Sequence, residues 1–166
     1  MNPGKTNRTA EYGLLAALAL VLAYVESQMP VFFAVPGMKL GLTNIVVLIA
    51  LYRQGEKAAL GINIVRIVLT AFTFGNMSAM LYALAGGFLS FFVMAVCRRS
   101  GKFSMAGVSI AGGVMHNIGQ ILVAMFVLET AQLVYYLPFL LVSGTAAGFA
   151  VGIIGSEVLK RLPGRD

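Results

Sequence analysis

Six apolar runs fill most of this chain, at about 11–29, 39–53, 57–75, 77–97, 104–128 and 132–159 of its 166 residues. Crossing the hydrocarbon core of a bilayer takes about 20 apolar residues, with roughly 17 as the lower limit, so five runs are long enough and the second is short. What lies between them is too brief for a soluble domain: the N-terminal MNPGKTNRTAE, connectors such as YRQGEK and CRRSGK, and the tail LKRLPGRD. Only 11% of the residues are charged and the mean hydropathy is +0.89, whereas a soluble domain is roughly 25% charged. The expectation is an all-α membrane protein, with residues 1–166 forming one domain in the lipid bilayer. The first run reads as a retained helix and not as a cleaved signal, because five more apolar segments follow it.

Charge supplies the threading. With six crossings and both termini cytoplasmic, the inner segments hold Lys5 and Arg8, Arg53 and Lys57, Arg98, Arg99 and Lys102, and Lys160, Arg161 and Arg165. Lys39 alone falls outside and Arg66 alone within a span, which is the bias that cytoplasmic loops show. The net charge of +6 is therefore a matter of topology, and nucleic acid is not an expected partner. The single cysteine, Cys97, permits no internal disulfide and no cysteine metal cluster. Tyr12, Tyr52 and Tyr135 sit near helix ends, where amphipathic rings favour the interface.

Small residues recur where helices approach closely. Gly144, Gly148 and Gly152 form a stripe on the last helix, read as internal packing, and Ala16, Ala19 and Ala23 form one on the first.

Polar residues inside apolar runs need a reason. The segment GGVMHNIGQILVAMF carries His116, Asn117 and Gln120, and the third helix carries Asn63, Arg66 and Thr70 at spacings of three and four, on one face. Asn44 lies early on the second helix, and Glu26 and Gln28 near the outer end of the first. The helix directions put these groups in one layer, between the midplane and the outer surface. A charged arginine at that depth costs at least about 2.5 kcal/mol and so faces the bundle interior or a wet cavity, with a partner. A pocket open to the outside is expected, with Arg66 meeting a polar or anionic group, His116, Asn117 and Gln120 orienting it, and Asn44, Asn63 and Glu26 completing the wall. The alternative is that these side chains pair among themselves, Arg66 with Glu26, and only join helices. A metal site is not expected, since His116 is the sole histidine and no carboxylate cluster accompanies it. The first connector, MPVFFAVPGMKLG, holds Phe32 and Phe33 among the helix breakers Pro30, Pro36, Gly37 and Gly41, and reads either as a lid over the pocket or as an interfacial connector.

Four segments carry a resemblance. PGMKLGLTNIVVLIALY (36–52), GINIVRIVL (61–69), LAGGFLSFFVM (84–94) and VMHNIGQILVA (114–124) resemble the Gx transporter family, whose members also go under the label heptaprenyl diphosphate synthase component I. The likeness spans nearly the whole chain, and KLGLTN and HNIGQ are its most specific parts. That family is grouped with the substrate-binding S components of energy-coupling factor (ECF) vitamin transporters. The resemblance implies a six-helix bundle that captures a small molecule, such as a vitamin or cofactor precursor, under the loop between helices 1 and 2. It further implies a transmembrane coupling subunit with two ATPases, docked on an Ala-x-x-x-Ala strip that Ala19 and Ala23 match.

Two other functions compete with uptake. A non-catalytic accessory of prenyl diphosphate or quinone metabolism fits the family's second label. Catalysis itself is not expected, because magnesium diphosphate calls for clustered carboxylates and the only aspartate is Asp166. A structural membrane scaffold would leave the interior dry and filled. No GxxxxGK[ST] loop occurs, so transport would draw its energy from partners, and no cofactor is expected.

Overall fold

The structure is a computed structural model, and it describes residues 3–28 and 41–162. Its elements are α1 (Pro3–Gln28), α2 (Asn44–Arg53), α3 (Glu56–Phe74), α4 (Met77–Ser100), α5 (Met105–Val127), a 3₁₀ segment (Ala131–Tyr136) and α6 (Leu137–Arg161). All regular structure among the described residues is helical. Five helical stretches, all but α2, are long and apolar enough to cross a membrane. The lid residues Phe32, Phe33, Pro36 and Gly37 lie outside the described residues.

Local chemistry sets the boundaries. Asn76 and Ser104 cap α4 and α5 by accepting from the backbone N–H groups of Ala79 and Gly107, satisfying donors that a helix start leaves open. Gly101 ends α4 at φ 67°, a left-handed conformation in which a glycine carries no Cβ penalty. Pro138 stands at the start of α6, where its missing N–H costs nothing. At the other extreme α1 runs through the polar N-terminal residues back to Pro3. Backbone hydrogen bonding is local, so polar side chains do not stop a helix from forming.

The second apolar run departs most from expectation. Helix begins only at Asn44, and its ten residues rise about 15 Å, half the thickness of a hydrocarbon core. Residues 41–46 enter it through tight turns from a glycine at φ 82°. Val46, Val47, Leu48, Ile49, Ala50 and Leu51 are all buried, so α2 is a core helix surrounded by protein on every side.

Successive helices run antiparallel. Glu11, early in α1, pairs with Arg53 at the end of α2, while Glu26, late in α1, accepts from the N–H groups of Gly41 and Leu42 just before α2. Glu56 at the start of α3 pairs with Arg99 at the end of α4. Along the α5–α6 seam Gly148 lies against Ser109 and Ile110, and Gly152 against Ala106. The glycine stripe thus serves internal packing, as the sequence suggests: a Cβ at Gly113 would stand 2.4 Å from the carbonyl oxygen of Gly144. Alternation through six helices brings Arg53, Lys57, Arg98, Arg99, Lys102, Lys160 and Arg161 to one end of the bundle, called here the Glu11 end. The opposite end is the Glu26 end.

The alanine strip on α1 requires a correction. Ala19 is 0% and Ala23 1% exposed, because small side chains let α1 sink against this chain's own core of Leu15, Val46 and Leu48. In this structure the strip is covered by the chain's own helices and not exposed on the outward face of α1. The outward face of α1 carries Leu14, Leu18, Val21 and Val25 instead.

Candidate functional site

Arg66 is the hub. It stands about three turns of helix into α3, and is 7% exposed. Its Nε donates to Asn63 Oδ1 (3.0 Å), Nη1 to Thr43 Oγ1 (2.5 Å) and Nη2 to Asn44 Oδ1 (2.7 Å). A planar guanidinium with five donors suits three acceptors in fixed directions. Asn63 is itself fixed, because its Nδ2 donates to the carbonyl oxygen of Gly87 on α4 (3.1 Å). Gly87 has no side chain for a reason: a Cβ there would meet Ile67 at 2.7 Å and Asn63 at 3.2 Å.

His116 and Gln120 come from α5, one turn apart on the same face, and both are buried. Gly86 of α4 makes their seat, since a Cβ on it would stand 2.7 Å from the carbonyl oxygen of His116 and 2.8 Å from Gln120 Cγ. Two polar atoms here have no hydrogen-bond partner among the described residues, His116 Nδ1 and Gln120 Oε1. Buried polar groups are nearly always partnered, by protein or by another molecule.

Arg66, His116, Gln120 and Glu26 line one cavity of about 40 Å³, with Thr70 on the same wall and alanines toward the Glu26 end. Water needs roughly 10–15 Å³ of such space, so the cavity takes about three water-sized groups. Glu26 Oε1 accepts from Gly41 N (2.5 Å) and Leu42 N (3.3 Å), placing a carboxylate at the entrance to α2, where helix N–H groups are otherwise unpaired.

The expected site thus divides. Arg66, His116, Gln120 and Glu26 meet in one cavity as expected from their depth. Asn63 and Asn44 stand behind Arg66 and hold it. Asn117 faces elsewhere: its Nδ2 donates to the carbonyl oxygen of Leu140 on α6 (2.7 Å), and it lines a separate void of about 20 Å³ with Asn44, Ser90, Ser109 and His116. Its position one residue beyond His116 turns it about 100° around the helix, toward α6. Two participants were not singled out from the sequence. Thr43 is a hydroxyl beside Asn44 in KLGLTN and a partner for Arg66. Ser90 is buried on α4 with its hydroxyl unpartnered among the described residues; its only sequence signal is a polar residue amid LAGGFLSFFVM.

Comparison with known families gives a direct answer. Residues 15–158 match the family described as heptaprenyl diphosphate synthase component I. The chain belongs to this family. The match covers every residue that lines the cavity, and it agrees with the resemblance carried by the four segments. No curated protein and no solved structure matches the chain. Among the described residues no three histidine, cysteine, aspartate or glutamate side chains come together in a way that could hold a metal ion.

Proposed function

We propose that this chain is the substrate-binding membrane subunit of an uptake system for a small solute. The observation that carries the reading is Arg66: 7% exposed, braced by three side chains, in the wall of a cavity also lined by Gln120, whose Oε1 has no partner among the described residues. A purely structural arginine would need no cavity beside it. The basic helix ends gathered at the Glu11 end favour that end as cytoplasmic, so the cavity lies nearer the outside. The segment 41–53 runs the return leg between α1 and α3, and in this reading it completes a sixth crossing with both termini inside. Solute-sized pockets span several hundred Å³, so loading a cavity of about 40 Å³ requires the wall of α1, α3 and α4 to give way at the Glu26 end. Energy would come from a partner ATPase module, and the alanine face of α1 is not its docking surface.

The family description favours a second reading, a non-catalytic membrane accessory of heptaprenyl diphosphate synthesis. Here the chain would raise the activity of a separate synthase without turning over substrate.

Native mass spectrometry of the gently purified protein separates the two. A bound small molecule in the wild type, lost from a helical and folded Arg66→Lys, is expected for the binding subunit. Lysine keeps the charge but cannot span three acceptors. An equal bound mass in both proteins, or synthase stimulation that survives Arg66→Lys unchanged, would count against it.

A further inference from the structure

The wall chemistry limits the solute, an inference that rests on the binding-subunit reading. We propose that the solute is uncharged overall and donates a hydrogen bond to Gln120, and that diphosphates and other polyanions are excluded from the cavity.

Charge balance comes first. Arg66 and Glu26 line the same cavity, so with His116 neutral the described wall carries no net charge. A diphosphate brings several negative charges and needs several cations or a metal ion to offset the loss of water. Here it would find one guanidinium and, on the same wall, a carboxylate that repels it.

Hydrogen bonding points the same way. Three of the five N–H groups of Arg66 are engaged, by Asn63, Thr43 and Asn44, which leaves little of the fork that grips phosphate oxygens bidentately. Of the two atoms on His116 and Gln120 without a partner among the described residues, Gln120 Oε1 can only accept. Gln120 is 2% exposed, lines the cavity, and its Oε1 meets no donor among the described residues. Phosphate and carboxylate oxygens bring acceptors only, which would leave Gln120 Oε1 unsatisfied and bring like partial charges together. A hydroxyl, amide or ring N–H satisfies it. Apart from the hydroxyls of Thr43 and Thr70, the remaining wall is mostly apolar, with Ile67, Ala71, Met80 and Ala83, and suits an uncharged body behind that donor. His116 Nδ1, the other of these two atoms without a partner among the described residues, lies against α4, 3.0 Å from where a Gly86 Cβ would stand.

The test uses the full chain purified in its native lipid. Solutes released by denaturation are identified by liquid chromatography and mass spectrometry, beside an unrelated membrane protein prepared in parallel. An enriched molecule of zero net charge carrying an N–H or O–H, with about tenfold lower occupancy in Gln120→Leu, is expected. An enriched phosphate or diphosphate ester, or equal occupancy in Gln120→Leu, overturns this inference and leaves the binding reading standing. Nothing enriched overturns both. Inorganic pyrophosphate, added as a probe to the wild type, should leave its Tm unchanged. A rise in Tm that Arg66→Lys abolishes would overturn the exclusion.

Discussion

The seam between α5 and α6 can be loaded by a single methyl group. An ideal Cβ on Gly148 would stand 2.6 Å from the carbonyl oxygen of Ser109 and 2.8 Å from Ile110 Cα. Carbon and carbonyl oxygen approach to about 3.3 Å, so the two backbones must part by about 0.7 Å, and neither obstacle is a flexible side-chain end. Overpacking of this kind costs about 1–3 kcal/mol. The control is Gly61→Ala on α3, where nothing lies within 4 Å of the added Cβ and the helix gains about 0.5–1 kcal/mol from the lost glycine. Unfolding in mixed micelles, followed by helical circular dichroism, should rank Gly61→Ala at or above wild type and Gly148→Ala about 2 kcal/mol below it. Since α5 carries His116 and Gln120, Gly148→Ala should also weaken solute retention. Equal stability of Gly148→Ala and Gly61→Ala would refute the close contact on which the seam argument depends.

Other perturbations follow from single contacts. Replacing Arg66 with methionine leaves Thr43, Asn44 and Asn63 without their donor, and a loss of about 2–4 kcal/mol is expected in the same unfolding assay; an unperturbed midpoint would mean that Arg66 is not braced as described. Glu26→Ala removes the acceptor for Gly41 and Leu42, so amide exchange over 41–46 should quicken about tenfold, against no change if α2 is held elsewhere. Ser90 donates and accepts nothing among the described residues, so Ser90→Ala should be neutral or slightly stabilising; a loss above about 1 kcal/mol would reveal a partner.

Much of the bundle was readable because membrane helices end on visible chemistry. Asn76, Ser104 and Gly101 mark boundaries, and the runs at 57–75, 77–97 and 104–128 fall within a few residues of α3, α4 and α5. The second run misled for a physical reason. Hydropathy counts Lys39 to Thr43 as part of a span, but Gly41 at φ 82° and the capture of its N–H by Glu26 delay the helix to Asn44. Depth, read from helix direction, puts Arg66, His116 and Gln120 in one layer, and all three line one cavity. Azimuth was harder: Asn117 shares their depth yet turns to Leu140 on α6. Small residues announce a close approach without naming the neighbour, which is why Ala19 and Ala23 could be taken for a docking face when they pack inward.

In the binding-subunit reading, the cavity is reached from outside the cell at the Glu26 end. The most direct test is cysteine accessibility on a Cys97→Ser background in intact cells, using a membrane-impermeant maleimide. Ala79→Cys, in the cavity wall on α4, should react from outside, whereas Lys102→Cys at the Glu11 end should react only after permeabilisation. Labelling of Ala79→Cys only after permeabilisation, or of Lys102→Cys in intact cells, would contradict it.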